Sequence, residues 1–118
     1  MRTSLQHLSR LGVAILLLGA APRLLAQEPR VVEITAKRFE FDPKEITLAK
    51  GQPVTIRFSS GDVAHGLFQK KLGLGLTARP GEPAEVTITP QEPGRYLTIC
   101  DHFCGVGHGN MKMTIVVE

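Results

Sequence analysis

Alternation of apolar and polar residues is the dominant pattern from residue 31 to the end of the chain. Valine, isoleucine and threonine dominate six short runs, and these β-branched residues favour a pleated, half-buried surface. The clearest run is Val54–Phe58, where one face of a strand is expected to be buried and the other solvated. The pattern therefore predicts strands over 31–35, 45–48, 54–58, 86–89, 96–100 and 113–117.

Turn signals separate these runs, at Asp42-Pro43, Pro80-Gly81 and Pro93-Gly94. No helical period of useful length follows the N-terminal region. The stretch Gly73-Leu74-Gly75-Leu76 is rich in glycine, and we predict a loop there. Short strands with glycine and proline turns between them predict an all-β sandwich or barrel.

The N-terminus has the layout of a secretory signal peptide. Basic residues precede an apolar run from Leu11 to Ala21, and a short Leu24-Leu25-Ala26 segment follows. This run is about half of the roughly 20 residues that a membrane-spanning helix needs. We therefore expect residues 1–26 to be a signal peptide cleaved after Ala26, with an uncleaved N-terminal anchor as the alternative. Residues 27–118 are expected to form one domain.

A cleaved signal changes what the charge implies. The chain has 14 Lys+Arg and 11 Asp+Glu, but Arg2, Arg10 and Arg23 lie in the predicted signal, which leaves 11 of each sign. The sequence pI of about 9.1 thus reflects mainly the targeting segment. We expect a periplasmic or secreted protein that binds no nucleic acid, because a basic patch or stripe is missing from the sequence. Contact with a membrane is expected only through a partner or an uncleaved signal.

Both cysteines lie in one segment, Cys-Asp-His-Phe-Cys-Gly-Val-Gly-His-Gly-Asn-Met, which runs from Cys100 to Met111. His65 lies upstream of it. Thiolate, imidazole and thioether are the soft donors that copper selects, whereas magnesium and calcium prefer oxygen. A disulfide is the usual expectation for a secreted protein, but cysteines this close would close a tiny ring that stabilises little. The segment therefore predicts a copper site, with a plain disulfide as the alternative.

Other residues near this segment have simpler expected roles. Four aromatic residues are expected in the core: Phe39, Phe41, Phe58 and Tyr96. Phe103 is expected to shield the metal from water. An apolar rim for transient docking of a redox protein is expected from Gly66, Leu67, Gly105 and Val106. Lys70 and Lys71 are predicted to be a solvated surface pair, with docking of an acidic partner as the alternative.

The pattern Cys-x-x-x-Cys-x-x-x-His-x-x-Met, with Asp-Val-x-His upstream, resembles the copper A site of cytochrome c oxidase subunit II and nitrous oxide reductase. The resemblance covers roughly residues 31–118 and implies a cupredoxin-like Greek-key β-sandwich. It also implies two copper ions bridged by the thiolates of Cys100 and Cys104. His65 and His108 would each cap one ion, and Met111 would be a weak ligand to one of them.

Position 102 departs from that family, in which Glu or Trp is common. The resemblance implies that residue 102 donates its main-chain carbonyl, so His102 is expected to serve in that way with its ring at the surface. Direct coordination by the imidazole is the alternative. Asp62 is expected to cap or orient the loop before His65. Asp101 is expected to face solvent or to form hydrogen bonds within the ligand loop.

The resemblance implies an electron carrier that is not an enzyme by itself, with a c-type cytochrome or a membrane-bound terminal oxidase as partner. Oxidase subunit II has a transmembrane hairpin and nitrous oxide reductase a catalytic propeller. The sequence lacks both patterns, so we expect a free-standing copper domain.

Three other interpretations remain open at this point. A mononuclear type 1 copper site would use His65, Cys104, His108 and Met111 and leave Cys100 spare. A copper-delivery protein, serving an oxidase under assembly, would use the same soft donors but would have to release the metal. A Cys₂His₂ zinc site would leave Met111 without a purpose.

Overall fold

The computed structural model describes residue 19 and residues 28–118. The signal peptide predicted for residues 1–26 and its cleavage site lie outside the described residues, apart from residue 19. Residues 28–118 form nine β-strands and two short 3-10 turns, at Lys70–Leu72 and His108–Asn110. The strands are β1 Arg30–Lys37, β2 Glu40–Asp42, β3 Glu45–Leu48, β4 Val54–Ser60, β5 His65–Gln69, β6 Leu74–Ala78, β7 Ala84–Ile88, β8 Gly94–Ile99 and β9 Lys112–Val117.

These strands form two sheets that pack face to face. One sheet has the order β2-β1-β4-β7 and the other has the order β3-β9-β8-β5-β6. The β1–β4 and β3–β9 pairs are parallel, and the other pairs are antiparallel. The predicted all-β, cupredoxin-like sandwich is confirmed. No helix in the described part of the chain is long and apolar enough to cross a membrane.

The core lies between the sheets and follows the alternation that predicted it. In β4, Val54, Ile56 and Phe58 point inward and are buried, while Arg57 between them is exposed. The ring of Phe58 lies 6.1 Å from that of Phe41, centroid to centroid. Burying each such side chain contributes on the order of 1.5–3 kcal/mol. Phe41 and Phe58 are therefore core residues, as predicted.

The prediction was wrong at residues 74–78 and at Phe39. Residues 74–78 are not a loop but strand β6, which pairs with β5. Leu74 and Ala78 are buried while Gly75 and Thr77 face solvent, so cross-strand pairing and burial outweigh the low strand propensity of glycine. Phe39 does not belong to the core, since it is 40% exposed in the turn between β1 and β2.

Three neighbouring strands bring the predicted ligands together at one end of the sandwich. Strand β5 runs antiparallel to β8 with Phe68 opposite Ile99, so the start of β5 at His65 lies beside the end of β8. Strands β8 and β9 are also antiparallel, and the segment 100–111 connects them at the same end. The sheet register therefore brings His65 to the cysteine segment, although 34 residues separate Gly66 from Cys100.

Candidate metal centre

The segment that connects β8 to β9, called the ligand loop below (residues 100–111), is closed at its base by a backbone hydrogen bond. The N–H of Cys100 donates to the carbonyl of Met111 over 3.2 Å. Further along, the N–H of His108 donates to the carbonyl of Gly105, and that of Met111 to the carbonyl of His108. These bonds fold the end of the loop into a 3-10 turn. The turn orients His108 and Met111 toward the two cysteines.

Cys104 lies at the centre of the candidate donors. Its Sγ atom is 3.9 Å from the Sγ of Cys100, 3.7 Å from Nδ1 of His108 and 3.8 Å from Sδ of Met111. Both cysteines are free thiols, and Cys100, Cys104 and Met111 are all buried. The fold thus collects three sulfur atoms and an imidazole nitrogen in a site from which bulk water is excluded.

His65 approaches this cluster from β5. Its ring is fully buried, and its ligand atom lies within 4.8 Å of the sulfur atoms of Cys100 and Cys104. Nε2 of His65 lies 2.6 Å from Oδ1 of Asp62. Nδ1 has no hydrogen-bond partner, and it is the only such buried side-chain nitrogen or oxygen among the described residues. Since an unpaired buried polar atom is costly, a metal ion bound by this nitrogen accounts for the arrangement.

Together these donors fit copper. Two thiols, two imidazoles and a thioether form a soft set that suits copper better than a hard cation. The carbonyl oxygen of His102 lies 3.2 Å from Sγ of Cys100, so the predicted main-chain donor is also near the cluster. The ring of His102 takes no part in the cluster described above: its Nδ1 lies 3.1 Å from the carbonyl of Phe103.

Asp62 is tightly held in the turn before β5. Its Oδ2 accepts a hydrogen bond from the N–H of Arg38 (2.7 Å), and its Oδ1 accepts one from the N–H of Val63 (2.7 Å) in addition to the His65 contact. Burial by itself raises the pKa of Asp62, but the bonds from Arg38, His65 and Val63 outweigh it and lower the pKa from 3.8 to about 2. The carboxylate therefore stays ionised and fixes the tautomer of His65, with the proton on Nε2 and the lone pair on Nδ1.

Replacing Asp62 with asparagine is expected to lower copper affinity by about 10–100-fold. Asparagine has only one acceptor oxygen at the end of its side chain. Its amide NH₂ would therefore face either the N–H of Arg38 or the two groups that contact Oδ1, the N–H of Val63 and Nε2 of His65. The lost bond would loosen both the turn and the ring of His65. A competition titration against a copper chelator of known affinity measures the change. Asp101→Asn is the matched control, because it removes a charge from the ligand loop without touching His65, and it is expected to change affinity by less than about threefold.

The Asp62→Asn variant is also expected to change how the stability of the metal-free protein depends on pH. Because the folded-state pKa of Asp62 (about 2) lies below its ordinary value of 3.8, its carboxylate stabilises the fold above about pH 4, and this contribution is lost as the pH falls through about 2. Asp62→Asn should therefore be less stable than the parent at neutral pH, and the gap in unfolding free energy should shrink between about pH 4 and pH 2. A gap that stays constant over this range would contradict the assigned role.

Cys104 is a poor acid in the metal-free protein. Burial, the neighbouring thiol of Cys100 and the charge of Asp62 raise its pKa from 9.0 to about 11, while Arg38 acts in the opposite direction. Since the thiolate is the form that binds metal, the site must lose a proton when copper binds.

Alkylation of Cys104 by iodoacetamide is expected to be slow and to accelerate with pH. At pH 8 a pKa of about 11 instead of 9.0 lowers the thiolate fraction on the order of a hundredfold. Peptide mapping by mass spectrometry measures the rate between about pH 7 and pH 10, with a short cysteine peptide as the control. A rate that bends toward a plateau between about pH 9 and pH 10, as for a thiol with the ordinary pKa of 9.0, would contradict the environment described for Cys104.

Two further residues support the ligand loop and were missed by the sequence reasoning. The Nε of Arg38 donates to the carbonyl of Cys104 over 3.0 Å, while its backbone N–H holds Asp62. The ring of Phe39 packs against the glycines of the loop: a Cβ added at Gly107 would lie 2.5 Å from the ring, and one at Gly105 would lie 2.9 Å from it. The turn between β1 and β2 thus contacts both segments that carry predicted ligands. The only signal of this contact in the sequence is the pair of glycines at 105 and 107, because glycine permits another group to approach the backbone closely.

Gly66 packs against the start of the ligand loop. Its N–H donates to Sγ of Cys100 over 3.4 Å. A Cβ built on it would lie 1.9 Å from Oδ1 of Asp101 and 3.1 Å from the backbone N of His102. Glycine is therefore required here by close approach, and the N–H···S bond ties β5 to the sulfur of Cys100.

The expected apolar rim is only partly present. Leu67 is fully buried in the core, and Gly66 is buried as well, so neither belongs to a docking surface. Val106 is fully exposed, and Phe103 is 72% exposed with its ring 5.8 Å from that of His108. The exposed apolar surface of the ligand loop therefore consists of Phe103 and Val106.

Comparison with known proteins agrees with this fold. A family model for cupredoxin-like domains matches residues 9–117. The chain is 36% identical over 87 residues to cytochrome c oxidase subunit 2 of Thermus thermophilus, an alignment that covers 74% of this chain and 64% of the relative. It is 32% identical over 91 residues to nitrous-oxide reductase of Cupriavidus necator, covering 74% of this chain and 14% of that enzyme. The chain thus spans less than two thirds of either relative.

Two solved structures have a similar fold. A chain of a heme-copper terminal oxidase dimer superposes with a TM-score of 0.69 at 32% identity, covering 80% of this chain and 68% of the other. Auracyanin A, a "blue" copper protein from Chloroflexus aurantiacus, superposes with a TM-score of 0.62 at 23% identity, covering 77% of this chain and all of the other. The second likeness supports the fold alone.

Proposed function

This chain belongs to the family of cupredoxin-like domains, and on that premise we propose that it carries a dinuclear copper A centre and transfers single electrons. The six predicted ligands are His65, Cys100, His102 (through its carbonyl), Cys104, His108 and Met111. The proposed location is the periplasm or the extracellular space, with residues 1–26 as a signal peptide and 27–118 as the copper domain. A c-type cytochrome or a membrane-bound oxidase is the proposed partner.

The observation that carries the proposal is the pair of free, buried thiols with sulfur atoms 3.9 Å apart. Around this pair lie two imidazoles and two weaker donors, the thioether of Met111 and the carbonyl of His102. These donors suffice for two copper ions, because two ions that share both thiolates would each receive one imidazole and one weak donor. A mononuclear site would leave the buried thiol of Cys100 without a role.

The surroundings of the donors suit electron transfer. Bound copper supplies a one-electron couple. The chain itself restrains the donors: Asp62 orients His65, the N–H of Gly66 contacts the sulfur of Cys100, and Arg38 holds the carbonyl of Cys104. Ligands fixed in this way move little when the charge of the site changes, which keeps the reorganisation energy low. Hydrogen bonding to a ligating sulfur also tunes the reduction potential.

Burial of the donors favours retention of copper over delivery. The sulfur ligands are nearly inaccessible, with Cys100 at 3%, Cys104 at 5% and Met111 at 2% exposure. A protein that hands its metal to another needs an open site that an incoming ligand can attack. The same donors would serve delivery only if the ligand loop opened.

Stopped-flow reduction of the copper-loaded domain by a reduced c-type cytochrome tests the proposal. We expect rapid, stoichiometric one-electron transfer that the metal-free and zinc-loaded proteins do not support. Challenge with an excess of a copper(I) chelator is the companion measurement, and copper should remain bound for hours. Release within seconds, together with slow electron transfer, would instead favour copper delivery.

A further inference from the structure

The outer face of the five-stranded sheet carries an exposed apolar cluster that does not include residues of the ligand loop. Phe68 on β5 lies opposite Ile99 on β8, and Leu97 lies two residues before Ile99 on the same face. Their exposed fractions are 37%, 41% and 58%. Because neighbouring positions on one face touch, these three residues form one continuous surface, called the sheet patch below.

The four-stranded sheet shows how this protein otherwise builds a solvated face. On its outer side the hydroxyls of Thr55 and Thr87 are 2.8 Å apart, and Arg57 pairs with Glu85 over 2.9 Å. Such polar and charged cross-strand pairs are expected where a sheet faces water. The sheet patch departs from this pattern, which indicates that something covers it.

A groove of about 690 Å³ adjoins the sheet patch and carries an excess of positive charge. The 3-10 turn with Lys70 and Lys71 forms one side, and residues 92–96 form the other. Lys70, Lys71 and Arg95 line the groove together with one carboxylate, Glu92. Arg95 is neutralised by Glu45 at 2.6 Å, whereas neither lysine forms an ion pair within residues 28–118. An apolar floor beside two unpaired cations attracts a surface of opposite charge.

We propose that the sheet patch and this groove form a docking surface for a partner protein that presents apolar side chains flanked by carboxylates. Sequence reasoning favoured a solvated surface pair for Lys70 and Lys71; their position beside Phe68 supports the docking alternative. The surface is separate from Phe103 and Val106 on the ligand loop. The chain would thus offer two faces, so that one partner can bind while the other face stays free.

Two other occupants fit less well. A second copy of this chain, docked by a two-fold axis, would bring together two surfaces that carry the same excess of positive charge, which is unfavourable. A membrane surface is reached best by apolar side chains on protruding loops or on an amphipathic helix, whereas the sheet patch lies on a strand face beside a groove. A convex, acidic protein surface matches both the shape and the charge.

Docking here would place the partner close to the copper ligands. Ile99 directly precedes Cys100, and Phe68 lies three residues after His65 on the same strand. The binding itself requires no metal. Electron exchange through this face rests on the proposed function, so binding and electron transfer must be measured separately.

Binding is tested with the folded domain, ¹⁵N-labelled, in its metal-free and copper(I) forms. The probe is an acidic c-type cytochrome at low ionic strength, and a basic c-type cytochrome is the comparison. We expect amide shifts at Phe68, Leu97 and Ile99 in both forms of the domain with the acidic probe, and weaker binding of the basic one. Shifts confined to residues 103–106, or no binding of the acidic probe, would overturn the proposal.

Matched variants separate charge from apolar contact. Lys70→Glu/Lys71→Glu is expected to weaken binding of the acidic probe by about tenfold or more, with a smaller effect at high salt. Its control, Arg30→Glu/Lys50→Glu, makes the same charge change on exposed residues outside the groove and should shift affinity by less than about threefold. Leu97→Ser should weaken binding by about five- to tenfold, whereas Val31→Ser, at a site of similar exposure (56%) on the other sheet, should not. Equal losses in variant and control would overturn the proposal.

Two further measurements test whether a second copy of the chain or a membrane occupies the surface instead. Sedimentation velocity reports self-association, and co-sedimentation with phosphatidylglycerol vesicles reports membrane binding. Either one, abolished by Leu97→Ser and by charge reversal, would overturn the protein partner in favour of that occupant. Normal binding of the probe without copper-dependent electron transfer would leave the docking surface intact and instead contradict the proposed function.

Discussion

Replacing Cys100 with serine is expected to lower the copper content from about two ions per chain to about one. Cys104 would remain, with Nδ1 of His108 at 3.7 Å and Sδ of Met111 at 3.8 Å, and His65 would lie nearby. This remaining set has the donors of a mononuclear site. Replacing Cys104 is expected to abolish tight copper binding, because the sulfur common to His108, Met111 and Cys100 would be lost. Elemental analysis after removal of loosely bound metal measures both contents.

Met113→Leu is the control for disturbance of the core. Met113 is buried two residues after the ligand loop, outside the predicted ligand set, so a leucine of similar volume should leave the copper content unchanged. Circular dichroism of the metal-free variants checks that each one folds. If Cys100→Ser kept the copper content and the spectrum of the parent while Cys104→Ser lost all copper, the site would be a mononuclear type 1 centre.

Gly66→Ala is expected to destabilise the fold by on the order of 2–3 kcal/mol and to weaken copper binding. The new methyl group would lie 1.9 Å from Oδ1 of Asp101 and 3.1 Å from the backbone N of His102, so β5 and the ligand loop would have to separate. That movement would lengthen the N–H···S bond to Cys100 and displace His65, the neighbour of Gly66. Chemical denaturation of the metal-free protein gives the stability, and a chelator competition gives the copper affinity.

Gly75→Ala provides the matched control on the adjacent strand. A Cβ at Gly75 meets nothing within 4 Å, so this change should be neutral or stabilise by up to about 1 kcal/mol. The double variant Gly66→Ala/Asp101→Ala should recover part of the loss, because the shortest contact is to the Asp101 side chain. Equal stability of Gly66→Ala and Gly75→Ala would show that the close packing of β5 on the ligand loop is not required.

Strands could be predicted where the alternation of apolar and polar residues matches the alternation of buried and exposed positions. In β3 and β4 the apolar period of two follows the buried positions residue by residue, as at Ile46, Leu48, Ile56 and Phe58. Strand β6 escaped prediction because Gly73 and Gly75 flank its first residue, and glycine has a low strand propensity. Its pairing with β5, which is not encoded locally, makes it a strand. Local propensity is a weak guide where the partner strand decides the outcome.

In the candidate site, too, the features encoded locally in the sequence could be predicted and those that depend on distant contacts could not. The donors in the ligand loop lie within one short segment, so their chemistry and spacing predicted a metal site. The approach of His65 to them depends on the pairing of β5 with β8. The orienting role predicted for Asp62 agrees with its bond to Nε2 of His65. The supports from Arg38 and Phe39 could not be predicted, because they lie 66 or more residues before the loop residues that they contact. Such contacts depend on how the turn between β1 and β2 packs against a loop that is distant in the sequence.

Electron paramagnetic resonance of the purified, copper-loaded mature domain, combined with its copper stoichiometry, is the most direct test of the proposed centre. We expect two copper ions that share one unpaired electron, seen as a seven-line hyperfine pattern because both nuclei couple equally to the delocalised spin. A single ion with a four-line pattern would contradict the dinuclear centre and would leave a mononuclear carrier or a delivery protein, which the chelator challenge separates.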